Sequence, residues 1–585
     1  MKDMITNSIR HFLKVSFACC GIIAASTCIT SCNDFLTIYP TDRIVGEDFW
    51  KNKSDVEQMV DGCYQAMLNY NIQERAIIWG AFRSDELVKT TSYSNTTLDN
   101  IEGINLLPSQ GYNSWASFYK VINYCNVVLN HAPEVMAEDP EFTEGDYNVV
   151  RAQMLALRSL CYFYLVRAFR DIPYSTQAYE DDMQVESTPQ SSPGTVLQNC
   201  LNDLHEAEQY IMKTGSYNDW RDQGYMTRDA VNALIADIYL WRAAMTHSQS
   251  DYQQAINYCD KVINAKDTYY RNNYKIDVTG DATDIYHLYD GAVAYSVIFG
   301  ATNCHESILE WQYNGKNNAN DAVMHYYYDT GSESDRKNYS RLKASSLFSP
   351  FKTDGSKIYL SKNDYRFWNN VYGVSDDEND DALSIRKMVS TSGTGLQSTM
   401  RNGSRSMKEF QQNWIVYRLT DVMLMKAEAM VETVSDSNDV TRLSAAFDLV
   451  KRVNDRSMAT GATDLLKFDN YNTQGKMEEL VLAERERELC FEGKRWFDLM
   501  RHCYRHMSGV DINTLMTSQG SWPALYAPAL ELVARKYDSN GGSAVSYKMK
   551  SEPYLYWPIL LSETKVNSTL KQNPVYQQEE TIKKN

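Results

Sequence analysis

Two stretches of this 585-residue chain repeat one design, an apolar helical stripe, a short polar turn and a second apolar stripe. In residues 227–244, Val231, Leu234, Ile235 and Ile238 fall on one helical face, and in 251–264 Ala255, Tyr258, Cys259 and Val262 repeat the spacing. Residues 414–432, with Leu419, Val422, Met423 and Met430 in line, are followed by a second helix over 441–454. Leu157, Cys161, Tyr164, Leu165 and Ala168 mark another such stripe. A helix with one apolar face must bury it against a neighbour, so successive pairs are expected to stack into a solenoid.

The expected fold is therefore mainly α, built of tetratricopeptide-like helix pairs with a loop-rich irregular region. Long segments rich in Gly, Ser, Asn, Asp and Tyr separate the pairs, at 90–113, 276–296, 314–340, 371–402 and 517–548. Loops of such length on a helical scaffold are the layout of a binding protein.

The amino terminus carries Lys2, Arg10 and Lys14, then a small apolar run from 15 to 29 that is too short to cross a bilayer as a helix. It reads as a signal-peptide core. The run ends in Thr30, Ser31 and Cys32, which resembles a lipobox, so residues 1–31 are expected to be removed and Cys32 to carry lipid. Their loss leaves 55 basic and 74 acidic residues, a balance that argues against nucleic acid or another phosphate-rich partner. Eight widely scattered cysteines would remain, and Cys161, Cys259 and Cys490 lie within apolar helical patterns, as buried thiols do. The 41 tyrosines, 11 tryptophans and 18 phenylalanines suit a neutral, hydroxyl-rich ligand, although most such rings serve packing.

The densest charge pattern runs from Glu484 to Arg501. On one helix it would pair Glu484 with Arg487, Arg485 with Glu488, Glu492 with Arg495, and Asp498 with Arg501. Carboxylates held ionised in this way are unsuited to general acid catalysis, so the pattern reads as scaffold. His502 and His506 lie one turn apart with Cys503 between them, but no glutamate follows in zincin spacing, and no metal is assigned there. The acidic loop 376–381 lacks the glycine of a calcium loop and reads as a solvated run. No P-loop, dinucleotide fingerprint or serine-hydrolase elbow occurs, and no cofactor is expected.

The Glu-Arg, Glu-Leu, Phe-Glu-Gly, Arg-Trp and Asp-Leu elements of residues 484–501 resemble the C-terminal signature of the SusD/RagB family of outer-membrane nutrient-binding lipoproteins. Other segments agree in order: Cys32-Asn33-Asp34-Phe35-Leu36 with Pro40, Phe49-Trp50 with Ala66, and Arg158 to Phe169 followed by Asp171-Ile172-Pro173. Arg170 stands where the family usually has glycine. Asp364-Tyr365-Arg366, the stretch from Tyr417-Arg418-Leu419 to Ala427-Glu428-Ala429, and the tail Gln572 to Tyr576 complete the likeness. The resemblance implies four tetratricopeptide-like pairs, here divided as an N-terminal region 32–310 and a C-terminal region 311–585. It also implies a lipid-anchored, surface-exposed outer-membrane protein that binds oligosaccharide and delivers it to a SusC-like TonB-dependent transporter. A peptide-binding lid of a peptide importer and a surface glycosidase are the alternatives, and no enzymatic activity is expected.

Ligand contacts vary within that family, so a site is sought from chemistry. Trp79, Arg83, Asp85 and Tyr93 follow the first helix, Tyr326 to Tyr328 follow an expected strand or short helix at 308–313, and Trp368 stands beside Arg366. The expected ligand-binding residues are Trp79, Arg83, Asp85, Tyr93, Tyr327 and Trp368, which together offer rings for stacking and charged edges for hydroxyls.

Overall fold

The computed structural model describes residues 49–576 apart from 181–186, 274–283, 316, 329–339, 350–356, 373–382, 390–409, 438, 508–530, 538 and 550–551. Cys32 and the acidic loop 376–381 lie outside the described residues. Ten longer helices carry the fold: α1 (Lys53–Met67), α2 (Ala116–Glu138), α3 (Glu144–Phe169), α4 (Pro193–Tyr210), α5 (Arg228–Thr246), α6 (Gln249–Asn273), α7 (Leu419–Glu432), α8 (Val440–Ser457), α9 (Gln474–Leu489) and α10 (Arg495–His506). Each packs on the next from α1 through α10, so a continuous core runs along the stack. The pairs α5/α6 and α7/α8 lie where the periodicity placed them.

Caps explain where several helices begin. Asn52 and Asp55 form a reciprocal capping box at α1, Thr143 and Asp146 another at α3, and Ser192 caps α4 ahead of Pro193. From Val150 to Phe169, α3 is buried on nearly every face except Arg151, so it passes a length-and-hydropathy test for a membrane span while serving as a core helix. All eight cysteines from Cys63 to Cys503 are buried free thiols, as expected from their helical settings.

Short antiparallel pairs fasten the irregular region to the stack. β1 (Leu87–Lys89) pairs with β5 (Leu342–Ala344), β2 (Ile172–Pro173) with β3 (Gln190–Ser191), β4 (Ser307–Trp311) with β8 (Trp414–Arg418), and β6 (Val371–Tyr372) with β7 (Ser384–Ile385). Residues 414–418 are therefore strand, where a helix was expected. Trp-Ile-Val-Tyr is β-favouring in composition, and pairing with β4 buries it on both faces. The division between residues 310 and 311 falls inside β4. Tyr326 and Tyr327, in the segment 314–340 read as irregular, lie on a short helix, Asp321–Tyr327, capped by Asn320.

The charge motif is broken into two helices. The chain turns at 490–494, where Phe491 and Gly493 have φ of 64° and 72°. A Cβ on Gly493 would stand 2.5 Å from the Ala76 carbonyl oxygen, and one on Gly80 would stand 1.9 Å from the oxygen of Gly493. Two backbones meet here at a distance that only glycine permits. Of the expected pairs, Glu484–Arg487 (2.8 Å) and Asp498–Arg501 (2.7 Å) form. Arg485 turns instead to Asp421 and Asp498, Glu492 to Arg418 and Lys387, and Arg495 to Asp85 and Glu486. These side chains reach α7, β8 and the segment just before β1, so the motif ties distant parts of the chain together.

Two of these carboxylates, Glu488 and Glu492, are held ionised by the cations around them. Burial alone would raise Glu488, but Arg456, Arg418 and Arg366 outweigh it and hold its carboxyl well below the usual range. Glu486 departs from that expectation. Burial, helped by the Asp85 carboxylate, pushes it up to about 8 despite Arg495 beside it.

Candidate ligand-binding pocket

A cavity of about 800 Å³ opens where α1 and the N-terminal half of α3 face the segment between α4 and α5. Helical spacing sets its walls: Glu57, Asp61 and Tyr64 share one face of α1, continued by its C-cap Leu68, while Asp146, Val150, Gln153 and Leu157 share one face of α3. Leu309, Trp311 and Gln312 of β4 and its exit close the floor.

Residues 215–225, Gly-Ser-Tyr-Asn-Asp-Trp-Arg-Asp-Gln-Gly-Tyr, form the rim. The buried Asp222 carboxylate holds them in shape by accepting from the backbone N–H groups of Gly215 (2.8 Å), Tyr217 (3.2 Å) and Asn218 (2.9 Å). The rings then gather around Tyr225. Tyr64 stacks on it at 4.2 Å and 3°, Trp220 meets it edge-on at 5.7 Å and 85°, and Tyr217 at 5.8 Å and 72°. Trp220 nevertheless remains 49% exposed. A Cβ on Gly224 would approach that indole to 2.7 Å and Gln312 Cγ to 2.8 Å, so the glycine leaves the ring its place.

Polar groups edge the rings. The Tyr225 hydroxyl donates to the Asp61 carboxylate. The Tyr64 hydroxyl donates to Gln153 Oε1 (3.0 Å) and accepts from the Met226 N–H (3.0 Å), and Gln153 Nε2 donates to the Tyr217 hydroxyl (3.3 Å). Arg221 lies 5.1 Å from the Tyr217 ring centroid and pairs with Asp219 at 2.7 Å. Burial pushes all three phenols up, aided at Tyr225 by the neighbouring Asp61, so they are neutral hydrogen-bonding groups at neutral pH. Such a surface can stack an apolar ring face and hydrogen-bond hydroxyls at its edge.

The residues expected to bind ligand lie elsewhere, and four of the six are interior. Trp79 is buried among Phe118, Phe169 and Trp557 and donates to the Tyr112 carbonyl (2.9 Å). Arg83 is buried over the Trp496 ring and donates to the carbonyls of Tyr554 and Leu555. Asp85 is buried against Arg495 (2.8 Å), and the buried Tyr327 donates to the Phe491 carbonyl (3.1 Å). Their rings and charges hold the fold together, which leaves no surface for a ligand. Tyr93 and Trp368 stay half-buried, Tyr93 under the Arg341 guanidinium and Trp368 donating to the Lys362 carbonyl. Sequence reasoning missed Tyr64, Tyr217, Trp220 and Tyr225, although three aromatic residues within nine positions of a Gly/Asn/Asp-rich segment were a visible signal.

The family model of SusD matches residues 236–576, more than half of the chain. This chain belongs to the SusD family. A second family model, described as starch-binding associating with outer membrane, matches residues 34–240. Among curated relatives, SusD-like protein P38 of Formosa agariphila is 25% identical over 540 residues, covering 88% of this chain and 96% of that protein. SusD-like protein P25 of the same organism is 24% identical, covering 80% and 87%. Solved structures share the SusD fold at lower identity. A SusD superfamily protein from Bacteroides thetaiotaomicron aligns with a TM-score of 0.60 at 20% identity, covering 90% of this chain and 99% of that one. A laminarin-binding SusD-like protein aligns at 0.59 and 19%, with the same coverage. The helical stack described above is thus the SusD fold.

Proposed function

We propose that this SusD-family protein is a surface lipoprotein, anchored through Cys32, that captures oligosaccharide and hands it to a SusC-like TonB-dependent transporter. The observation that carries the reading is the Tyr64–Tyr217–Trp220–Tyr225 cluster, a ring platform with a half-exposed indole at the mouth of the 800 Å³ cavity. Sugar C–H faces stack on such rings, while Asp61, Asp219, Arg221 and Gln153 offer edges for hydroxyls. The second family model's description and the laminarin-binding relative support the same ligand class. Carboxylates from Glu57, Asp61, Asp146 and Asp219 around the cavity favour neutral over anionic glycans. Tyr93 and Trp368 are kept as secondary contact candidates. The action is binding and release, with no covalent chemistry, so prolonged incubation with glycan is expected to yield no new reducing ends.

Calorimetry of the chain from residue 33 onward against gluco-oligosaccharide panels tests the pocket. Heat of binding that is lost in a Trp220→Ala, Tyr225→Ala double variant supports it. Binding that survives that variant unchanged removes the pocket from the account.

A further inference from the structure

The last turn of α10 places two imidazoles beside a carboxylate from the first turns of α9. His502 Nδ1 lies 2.8 Å from Glu478 Oε1, and His506 Nε2 lies 2.8 Å from Glu478 Oε2. The three donor atoms fall within 4.8 Å of one another. Spacing of four residues puts both rings on one helical face, as two-histidine metal sites require, and the carboxylate supplies the third donor that α10 itself lacks.

We propose that Glu478, His502 and His506 form a binding site for a borderline-soft divalent cation of the zinc type. Two imidazole nitrogens and one carboxylate oxygen match that cation's preferred donors, and metal–donor bonds of about 2.0–2.2 Å fit among atoms this close after small rotations of the two rings. Each present N···O contact holds one proton between its partners, which a cation would replace. Glu478 is buried while His506 is exposed, so the site has a rigid floor and an open mouth through which metal enters and at which water completes the coordination. Oriented support stands behind it. Arg505 donates to Glu478 Oε1 (2.7 Å), the oxygen that His502 also meets, and to Glu428 Oε1 (2.6 Å), which holds the carboxylate in place. The positive charge of Arg505 opposes a cation, and Glu428 and Glu432, paired with Arg505 at 2.6 and 3.4 Å, offset it. Cys503, between the histidines in sequence, is a buried thiol and is not among the three clustered donors. A bound cation would fasten α10 to α9 at the edge of the stack, away from the glycan pocket.

The test is titration of the tag-free chain, stripped with EDTA and dialysed, with zinc chloride and separately with cobalt chloride. One saturable equivalent of zinc, with cobalt absorption bands of a nitrogen- and oxygen-ligated ion, is expected. His506→Gln, at an exposed position that leaves packing intact, should weaken binding at least tenfold, and Glu478→Gln should do the same if it folds. Absence of saturable binding, or affinity unchanged in His506→Gln, would overturn the site.

Discussion

Arg170 and Glu552, 382 residues apart, form an ion pair of 3.1 Å with both side chains wholly buried. Arg170 also pairs with Asp171 at 2.9 Å, and its backbone lies at φ 68°, the left-handed region that favours glycine. At this position the chain thus gives up backbone ease for a buried charge contact.

Arg170→Gly relaxes that backbone but leaves Glu552 and Asp171 buried without their cation. We expect a net loss of about 2–4 kcal/mol, because removing one partner of a buried pair costs more than the strain it relieves. Adding Glu552→Gln should recover a large part of it. Chemical denaturation of the single and double variants measures both.

The buried ion network sets opposing acid and alkaline limits. At Asp421 burial acts to raise the carboxyl, but Lys494 and Arg485 outweigh it and bring it to about 2. A depressed folded value means stability that is complete above the unfolded value near 4 and lost as pH falls toward 2, about 2 kcal/mol for this group. Glu486, raised to about 8, acts with the opposite sign: its folded form keeps a proton that the unfolded chain releases near 4.5, so stability declines as pH rises from there to 8. Urea midpoints should peak on the acid side of neutrality, and Glu486→Gln should flatten the alkaline limb.

Gly224→Ala should act on the pocket alone. Its Cβ would displace the Trp220 ring from one side and Gln312 from the other, while the backbone there suits alanine. Oligosaccharide affinity is expected to fall about tenfold, close to the 1.4 kcal/mol of one well-placed stacking contact. The unfolding midpoint should move little, and calorimetry beside thermal denaturation separates the two effects.

Helices were legible where one face is apolar, as in α5 and α6, because burial against a single neighbour writes its period into the sequence. Residues 414–418 were misread since a strand covered on both sides carries no alternation to tell it from the start of the following helix. The pairings within 484–501 were half legible. Spacing finds Glu484–Arg487 and Asp498–Arg501, which lie inside one helix each, and misses every partner across the turn at Phe491 and Gly493. Trp79 and Trp220 are chemically alike, and only packing decides that one fills the core and the other faces the cavity. The third donor beside His502 and His506 was invisible for a similar reason, since Glu478 sits on another helix.

The grip of Arg83 on the carbonyls of Tyr554 and Leu555, and the docking of Trp557 beside Trp79, have a consequence for how the chain matures. Until residues 552–557 emerge, the first third of the polypeptide holds two guanidinium groups, Arg83 and Arg170, deprived of their distant acceptors. Completion of synthesis is therefore built into the final closure of the molecule, and a product shortened before residue 552 would be left open at its centre.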